Sequence, residues 1–563
     1  MNIVQRPVKE KDLQRLIGGG VHPLLARLYA ARRVQNPSEL DDDFARLLPP
    51  AALKGAAQAA VLLADAIAAQ KKLLIIADYD ADGATACAVG MRALAAFGAK
   101  VEYLVPDRFK LGYGLSPELV ELAAERSPDL LITVDNGIAS VEGVARAKRF
   151  GIGTLITDHH LPGDTLPEAE CIVNPNQPGC GFPSKALAGV GVMFYVMLSL
   201  RKELRDRKAF GSKPEPNLAA LTDLVALGTV ADVVPLDANN RILVAQGLKR
   251  LREGRAGAGL AALARAGGRE PSRASCFDFG FVLGPRLNAA GRLADMSLGI
   301  ECLLTDDEAR AANCAQELDR LNRERRRIEA GMLDEASAAI DAGAASAAGA
   351  SLTLYQPTWH QGVVGLIASR VKERVHRPTI CFAKGNEGEL RGSGRSIPGF
   401  HLRDCLDLVA KRFPCLMLRF GGHAQAAGLT IRERDLERFK EGFEKTAAEI
   451  LPEEARNQVV ETDGALEAGY HSLEVARMLE SRIWGQGFPA PLFCDEFRVE
   501  SQRVVGERHL RVRLVKDGRR LEAMRFNSLG PLPARIRAAY RIGVNEFNGL
   551  QSVQMSVEHA ESC

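Results

Sequence analysis

Acidic and imidazole side chains gather at four places in the first half of the chain, in a pattern that suits divalent cations. Their positions are Asp78, Asp80, Asp82, Asp135, Asp158, His159, His160 and Asp232. Carboxylates held close together repel one another unless cations neutralise them. Asp and His together suit Mn²⁺ or Mg²⁺, and a pair of such ions is the clamp used by phosphatases and nucleases. The residue types therefore raise the hypothesis of a two-metal hydrolase.

Three of these aspartates come directly after short apolar runs. The runs are Leu73–Ala77, Leu130–Val134 and Thr154–Thr157. Such β-branched runs, separated by helical stretches, predict a parallel sheet in an α/β domain. The carboxyl ends of the strands in an open parallel sheet form the ligand crevice. Asp78, Asp135 and Asp158 should therefore meet at one edge of the sheet.

Less specific explanations exist for each acidic segment. A single aspartate after a strand is most often a helix N-cap or a turn residue. The run from Asp78 to Gly83 also resembles the start of a calcium-binding loop. That loop needs glutamate at its twelfth position, which is Val89 here. Three coincident strand ends and a histidine pair favour a catalytic metal site over these explanations.

Composition indicates a folded, multidomain protein but no particular partner. The chain has 563 residues, a length that predicts about three to five domains. Of these residues, 46% are hydrophobic and 25% are charged, which is typical of globular proteins. Its net charge is +3, from 73 Lys+Arg and 70 Asp+Glu. The 11 cysteines include no C-x-x-C pair, so reduced, buried thiols are expected. With no signal-like start and no apolar run of about 18 residues, we expect a cytoplasmic protein.

Three later regions carry groups that could bind phosphate. Arg391–Ser396 combines glycines, which let backbone approach an anion, with arginine; a surface hairpin is the alternative. The helix carrying Arg323–Arg327 could run beside a nucleic acid or simply be a solvated face. From Arg498 to Arg541, twelve Lys and Arg accompany four acids. The aromatic residues Phe497, Phe526 and Tyr540 lie in or beside this last stretch.

The C-terminal stretch has the composition of a single-strand-binding barrel. Its alternating pattern and the turn at Lys516–Arg519 predict a small all-β barrel. A basic groove with stacking aromatics is how an OB barrel binds single strands without sequence preference. A solvated barrel face is the alternative. Changes in sequence character along the chain predict five segments: 1–70, helical; 71–300, catalytic α/β; 301–349, a long connecting helix; 350–451, a second α/β domain; and 452–563, the barrel.

Four motifs resemble those of the DHH phosphoesterase superfamily: Asp78–Thr85, Val134–Gly137, Thr157–His160 and Gly228–Asp232. Gly421–His423 resembles the signature of the associated DHHA1 domain. Within the superfamily, Arg108–Gly114, Leu283–Arg292 and the C-terminal β domain resemble bacterial single-stranded-DNA-specific exonucleases. The resemblance covers nearly the whole chain. It implies a parallel-sheet DHH domain joined by a long helix to a smaller α/β DHHA1 domain, followed by an OB-fold barrel.

The resemblance implies a role for each site residue. Metal ligands would be Asp80, Asp82, Asp135, His159 and Asp232, with Asp135 bridging two divalent cations, Mn²⁺ or Mg²⁺. Asp78 would be a ligand or a base, Asp158 would orient the histidine pair, and His160 would bind metal or phosphate. Phosphate or DNA contacts would come from Arg108, Arg286, Asn288, Arg292, Ser393, Arg395, Ser396 and His423, the last facing the active site.

The implied activity is 5′→3′ hydrolysis of single-stranded DNA to 5′-mononucleotides in DNA repair and recombination. Single-strand-binding protein and a RecQ-type helicase are the implied partners, and a monomer is the implied state. Hydrolysis of short oligonucleotides or cyclic dinucleotides is an alternative, but superfamily members of that kind carry histidine where this chain has Ile76. A metal-free scaffold is a further alternative, disfavoured by the intact acid and histidine set.

Overall fold

The structure is a computed structural model that describes residues 2–107, 112–344 and 349–563. The chain divides into two compact units. One contains Gln5–Asp319 and Glu461–Cys563, and the other contains Arg320–Val460 with the first four residues. Within the described residues, no single helix is long and apolar enough to cross a membrane; the bent pair Phe44–Ala52 and Ala56–Ala68 comes nearest.

A five-stranded, all-parallel sheet forms the centre of the first unit, as predicted. Its strand order is Lys100–Leu104, Lys72–Ala77, Leu130–Val134, Gly153–Thr157 and Cys171–Val173. The strand Leu130–Val134 is buried throughout, because helices cover both faces of a parallel sheet. The in-line register places Ala77, Val134 and Thr157 side by side. The residues that follow these three therefore leave the sheet at the same edge.

Helices pack around this sheet in the first unit. Their bounds are Glu10–Gly18, Pro23–Ala31, Ala56–Ala68, Ala81–Ala96, Pro117–Ala124, Val141–Arg149, Gly189–Asp206, Thr222–Ala231, Ala238–Arg252, Ala258–Ala266, Cys276–Asp278, Gly284–Leu293 and Ser297–Leu304. The polar composition of Arg201–Asn217, with its two prolines, predicts a loop, but the first six of these residues continue the helix Gly189–Asp206. Ion pairs one turn apart, such as Glu203 with Arg207, stabilise this end of the helix.

The C-terminal barrel is closed, which confirms the predicted class. Its strands, in spatial order, are Phe493–Val505, His509–Lys516, Arg519–Arg525, Leu550–Ser562 and Arg535–Phe547. Asp517 and Gly518 both have positive φ, as a two-residue hairpin turn of the primed type requires. Phe497 and Tyr540 are buried inside the barrel, so the predicted stacking role is wrong for both. Phe526 alone of the three is exposed, at 48%.

Two shorter elements connect this barrel to the N-terminal helices within the first unit. The helix Leu473–Glu480 leads into the segment of Trp484 and Phe488, whose rings stack on each other and pack beside Tyr29. Arg32 and Asp463 form a buried ion pair with a 2.9 Å nitrogen–oxygen distance. The N-terminal helices therefore pack against the segment that leads into the barrel.

The second unit is a smaller α/β domain with a mixed sheet. Its strand order is Arg419–Gly422, Ala426–Arg432, Glu389–Arg395, Thr379–Lys384 and Leu352–Tyr355. The helices are Val364–Val375, Leu402–Arg412 and Leu436–Ile450, and they enclose a core containing Phe382, Phe439 and Phe443. Arg391–Arg395 lies in the central strand Glu389–Arg395 and Ser396 follows it, so the alternative of a surface hairpin is wrong. The predicted long helix is present as Glu308–Ala339. Two short strands, Asn2–Gln5 and Val459–Thr462, pair in a separate sheet.

Candidate metal centre

Backbone hydrogen bonds extend the parallel sheet by one residue at each functional strand end. The amide of Asp78 donates to Val134 O, and that of Asp135 donates to Thr157 O. The amide of Asp158 donates likewise to Val173 O. The three aspartates are thus fixed side by side at the carboxyl edge of the sheet, where ligand sites of open α/β folds form.

Two helix N-termini orient the other carboxylates of the first motif. Asp80 caps the helix Ala81–Ala96, because its Oδ1 accepts hydrogen bonds from the amides of Asp82 and Gly83. Both oxygens of Asp82 accept amide hydrogen bonds at the start of the helix Gly189–Asp206, at 2.6 and 2.8 Å. Helix N-termini favour negative charge. The N-cap explanation for Asp80 is therefore correct for one oxygen, and the second oxygen is not used by the cap.

Eight candidate side chains lie in one cluster. Three groups have ligand atoms within 4.8 Å of one another: Asp78, Asp80 and Asp135; Asp82, His159 and Asp232; and Asp135, His159 and His160. Asp135 and His159 each belong to two groups. Asp158 completes the cluster through its hydrogen bond to His160. The structure therefore brings together all eight acid and histidine residues of the first four motifs, with Asp135 in a shared position.

The donor atoms of this cluster fit divalent cations. His159 Nε2 lies 3.1 Å from Asp135 Oδ1, 3.4 Å from Asp232 Oδ2 and 3.9 Å from Asp82 Oδ2. In the part of the chain that the structure describes, the buried Oδ1 of Asp135 has no hydrogen-bond partner. A buried polar atom of this kind needs a partner, which a bound cation can supply. Carboxylates and imidazole around one point are a suitable set for Mn²⁺ or Mg²⁺.

Burial and mutual repulsion shift the pKa values of these carboxyls. Burial and the charge of Asp80 raise the pKa of Asp82 to about 7, although the amides of Val190 and Gly189 oppose the rise. Burial and the neighbouring aspartates raise the pKa of Asp135 and that of Asp232 well above the usual range. Full ionisation of these carboxyls is thus unfavourable when no cation is bound. A bound cation would relieve that repulsion.

Asp158 holds the histidine pair without belonging to any of the three groups. Its Oδ1 accepts hydrogen bonds from the amides of His159 and His160, and it lies 2.7 Å from His160 Nδ1. Its Oδ2 accepts a bond from the amide of Ile138. Burial alone would raise the pKa of Asp158, but its interactions with His160 and Ile138 lower it. An ionised carboxylate here fixes the orientation of the imidazole, a usual outer-shell arrangement.

The sequence analysis gave no role to Tyr113, although it lies in the motif Arg108–Gly114, and none to Gly189. The Tyr113 hydroxyl donates to Asp135 O at 3.2 Å and lies 3.1 Å from His160 Nδ1. A Cβ at Gly189 would lie 2.6 Å from Asp135 Cβ, so only glycine lets the helix start approach so closely. The placement of Tyr113 between two glycines was an available signal. Gly189 carried none, because the close approach is tertiary.

The predicted phosphate contacts in the same unit have varied surroundings. Asn288 Oδ1 accepts the amide hydrogen of Ala81, so this side chain braces the turn that carries Asp80. Arg286 is buried, donates to Val282 O and is ion-paired with Asp319 at 2.8 Å. These contacts give Arg286 a structural role, and a direct phosphate contact stays a prediction. Arg292 is half-buried in the same helix, whereas Arg108 lies outside the described residues.

In the second unit, Ser393 and Arg395 form a polar group beside the first turn of a helix. Arg395 Nη1 donates to Ser393 Oγ at 3.1 Å. A Cβ at Gly365, in the helix Val364–Val375, would lie 2.9 Å from that Oγ and 3.0 Å from Arg395 Nη2. Ser396 differs, because its buried hydroxyl donates to Phe400 O. His423 is exposed in the turn between two strands.

Comparisons with known proteins agree with this architecture. Family models match the chain at three places: the DHH family, N-terminal domain, over residues 72–229; the DHHA1 domain over 346–449; and the RecJ OB domain over 462–559. The chain is 48% identical over 576 residues to "Single-stranded-DNA-specific exonuclease RecJ" of Dickeya dadantii (strain 3937), covering 99% of each. It is 47% identical over 550 residues to the protein of the same name from Escherichia coli (strain K12), covering 95% of each. The chain belongs to the RecJ family.

Solved RecJ structures share the whole fold of this chain. RecJ from Thermus thermophilus in complex with Mn²⁺ has a TM-score of 0.84 at 31% identity, covering 100% of this chain and 79% of that one. The complex of the same protein with Mg²⁺ has a TM-score of 0.78 at 30% identity, covering 100% and 78%. Membership of the RecJ family confirms the predicted fold class of DHH, DHHA1 and OB domains.

Proposed function

We propose that this RecJ-family chain hydrolyses single-stranded DNA from its 5′ end and releases 5′-mononucleotides. The observation that carries the proposal is the convergence of carboxylate and imidazole groups from four chain segments around Asp135 and His159. Relatives with 47–48% identity over nearly their full length are single-stranded-DNA-specific exonucleases by name. The chain is accordingly a metal-dependent nuclease that acts on phosphodiester bonds.

The donor set suits two divalent cations, Mn²⁺ or Mg²⁺. We assign Asp80, Asp82, Asp135, His159 and Asp232 as their ligands, with Asp135 shared and Asp78 beside it, on the grouping of their donor atoms. When bound, such ions lower the pKa of a water molecule and neutralise charge that develops on phosphoryl oxygens. Burial and the neighbouring carboxylates raise the pKa values of Asp135 and Asp232, and a bound cation would stabilise their ionised forms, which supports this assignment.

The chain's own residues orient the phosphate. Asp158 fixes the ring of His160 through Nδ1, and Tyr113 packs against that ring with centroids 5.6 Å apart. His160 thereby stands at the edge of the cluster with its orientation set, suited to contact a phosphate oxygen. We assign Asp158 as a positioning residue and His160 as the phosphate contact.

The products follow from which bond breaks. Water adds to phosphorus, the bond from phosphorus to the 3′ oxygen of the first nucleotide breaks, and that oxygen leaves with a proton. The first nucleotide departs as a 5′-monophosphate, and the shortened strand begins with a new 5′-phosphate. A clamp for 5′-phosphate is thus usable at every cycle. We assign this clamp to Ser393 and Arg395, beside the helix that starts near Gly365.

The barrel supplies an electrostatic path for the strand. Part of its basic surplus is already neutralised, since Glu522 pairs with Arg511 and Arg513, and Lys516 pairs with the nearly buried Asp495. The remaining excess of base and the exposed ring of Phe526 suit sequence-independent binding of a single strand. We therefore propose 452–563 as the strand-binding domain, 71–300 with 1–70 as the catalytic region, and 350–451 as the domain of the 5′-phosphate clamp, connected through 301–349.

The proposal is tested with 5′-labelled and 3′-labelled single-stranded oligonucleotides in Mn²⁺ and in excess chelator. We expect labelled mononucleotide to appear at once from the 5′-labelled strand, and successively shorter products from the 3′-labelled strand. Chelator should abolish both. The substitution Asp135→Asn should remove hydrolysis while the strand still binds, because the barrel is untouched.

Matched controls make this test specific. Asp164→Asn changes an exposed aspartate a few residues after His160 and should leave the rate unchanged. A dinucleotide should compete poorly with the long strand, because the buried Ile76 stands where small-substrate relatives carry histidine. Hydrolysis by Asp135→Asn at the wild-type rate, or release of label from the 3′ end first, would contradict the proposal.

We further propose that the chain acts as a monomer in the cytoplasm, in DNA repair and recombination. Single-strand-binding protein and a RecQ-type helicase are the proposed partners, since both generate or carry the single strands that this active site requires. Sedimentation of the purified chain tests the monomer, and co-sedimentation with either partner tests the contact. A stable dimer, or no contact with either partner, would contradict this part.

A further inference from the structure

A pair of exposed aromatic rings, Phe277 and Phe281, lies on the first unit outside the acid and histidine cluster. Their side chains stack with centroids 4.9 Å apart and an interplanar angle of 25°. Phe277 is 55% exposed and Phe281 is 65% exposed. No other two exposed aromatic rings stack together in the described ranges. We call this pair the aromatic ledge.

The backbone that presents the ledge is unusual. Phe279–Leu283 forms a π-helical turn between the short helix Cys276–Asp278 and the helix Gly284–Leu293. π-Turns are rare and occur frequently at functional sites. The surrounding segment keeps Phe279 fully buried while its neighbours Phe277 and Phe281 face outward. The outward rings therefore contribute little to the core of the unit, and a packing role does not explain them.

The π-helical turn that carries Phe281 packs against the residues that precede Asp232. A Cβ at Gly280 would lie 3.4 Å from Val230 Cγ1, and a Cβ at Gly284 would lie 3.0 Å from Ala231 Cβ. Asp232, with Oδ2 3.4 Å from His159 Nε2, is the next residue in the chain. The π-helical turn thus packs on the last turn before a candidate metal ligand.

Val233, immediately after Asp232, adds a third apolar group and a strained backbone. It is 60% exposed and has φ of 63°, a conformation that β-branched residues rarely adopt. Strain of this kind persists where the surroundings impose it, and it concentrates at ligand sites. Exposed apolar surface beside the cluster is thus present on both segments that meet here.

A cation accompanies the rings. The Arg269 guanidinium lies 6.0 Å from the centroid of Phe277, and its Nε is 3.0 Å from Asp278 Oδ1. Arg269 is nearly half-exposed, so it can also reach a phosphate. Aromatic faces with a neighbouring arginine are how proteins hold successive nucleotides of a single strand regardless of sequence. An acidic peptide would gain the cation but would not need two parallel ring faces.

We propose that the aromatic ledge stacks on a nucleobase of the bound single strand, close to the phosphodiester that is cut. This inference rests on the proposed function, because the strand must enter the cluster beside Asp232. The ledge supplies a sequence-independent hold on the base, while the cations and His160 engage the phosphate. Phe277 and Phe281 are thus positioning residues for the strand.

The test compares three substitutions of one ring in the full-length chain with Mn²⁺ and a single-stranded substrate of about 20 nucleotides. Phe281→Ala should raise KM about tenfold with little change in kcat, since base–aromatic stacking is worth about 1–3 kcal/mol. Phe281→Leu keeps an apolar side chain without a ring face and should lose as much. Phe281→Trp keeps an aromatic ring face and should therefore have the wild-type KM. Phe150→Ala is the matched control. Phe150 is also half-exposed and has Arg146 over its ring. It follows the helix Val141–Arg149 and precedes the strand that begins at Gly153, so it lies toward the amino-terminal edge of the sheet, opposite the metal centre.

A binding readout separates this inference from the proposed function. An oligonucleotide with 5-iodouracil at one position is irradiated with the full-length chain in Ca²⁺, and the attached peptide is identified by mass spectrometry. We expect attachment to the segment of Phe277–Phe281 from one or two neighbouring positions, and its loss in Phe281→Ala. Attachment without hydrolysis in Mn²⁺ would refute the nuclease function and support the ledge.

Other outcomes overturn the ledge alone. Normal hydrolysis with wild-type KM in Phe281→Ala, or full retention of affinity in Phe281→Leu, would refute base stacking. An aromatic ledge without an effect on DNA would be a protein-docking surface instead. Attachment of every 5-iodouracil position to other segments only would refute it equally.

Discussion

The substitution Gly189→Ala probes how the first turn of the helix Gly189–Asp206 holds the cluster. An added methyl group would lie 2.6 Å from Asp135 Cβ, 2.7 Å from its Oδ1 and 2.8 Å from its Cγ. These distances are shorter than van der Waals contact, and Asp135 is buried on all sides. Either the helix start retreats or the Asp135 side chain turns away.

Both responses damage the same centre. Retreat of the helix start lengthens the amide hydrogen bonds from Gly189 and Val190 to Asp82, which are 2.6 and 2.8 Å long. Loss of hydrogen bonds that hold a metal-ligating side chain in place typically costs about 10–100-fold in metal affinity or activity. Misplacement of a reacting group by about 1 Å costs about 100-fold in rate. We expect the rate to fall by about 100-fold and Mn²⁺ affinity by at least about tenfold.

The assay combines initial rates on a 5′-labelled single strand, Mn²⁺ binding by calorimetry, and thermal unfolding. Overpacking costs about 1–3 kcal/mol, so the unit should remain folded with a lower melting temperature. Gly181→Ala is the matched control, because a Cβ there meets nothing within 4 Å. A folded Gly189→Ala variant with wild-type rate and wild-type Mn²⁺ affinity would refute the reasoning.

Three further outcomes are expected. Asp158→Asn should lower the rate about 10–100-fold by releasing the His160 ring, and a titration of the His160 resonances by NMR should report a lowered pKa; an unchanged resonance would contradict this. Folding raises the pKa of Asp82 to about 7, so the protonated carboxyl stabilises the metal-free chain, and this stability is lost as pH rises through that value. Cation binding becomes tighter over the same pH range, because the cation needs the ionised carboxylate. The increase in melting temperature caused by Mn²⁺ should therefore be larger at about pH 8 than at about pH 6, and equal increases would contradict it. Arg32→Ala should cost about 1.5–3 kcal/mol of unfolding free energy, because the buried Asp463 loses its closest cation and keeps only the ion pair with Arg6 at 3.3 Å; a cost near zero in urea unfolding would show that the ion pair is not structural.

The metal centre was predictable because parallel sheets align their strand ends. Apolar runs ending in Asp78, Asp135 and Asp158 were visible in the sequence, and a uniform register places those residues side by side. Long-range contacts carried no comparable signal. Gly189 lies more than fifty residues after Asp135 in the chain, so nothing local indicates that its missing side chain makes room for that carboxylate.

The wrong prediction of a stacking role for Phe497 has a local cause that is visible in the sequence. Phe493, Asp495 and Phe497 alternate along one strand and share its buried face, which identifies Phe497 as a core residue. Counting basic and aromatic residues together ignored that alternation. The aromatic ledge escaped notice for the opposite reason, because the π-helical turn at Phe279–Leu283 alters the helical period on which side-chain direction is normally judged.

We propose that two divalent cations would share Asp135 at the carboxyl edge of the parallel sheet. Titration of the metal-free, full-length chain with Mn²⁺, followed by electron paramagnetic resonance, counts these ions and reports whether they are coupled. We predict saturation at two Mn²⁺ per chain with magnetic coupling between them, and loss of the coupling in Asp135→Asn. Saturation at one ion, no saturable binding, or unchanged coupling in Asp135→Asn would contradict the claim.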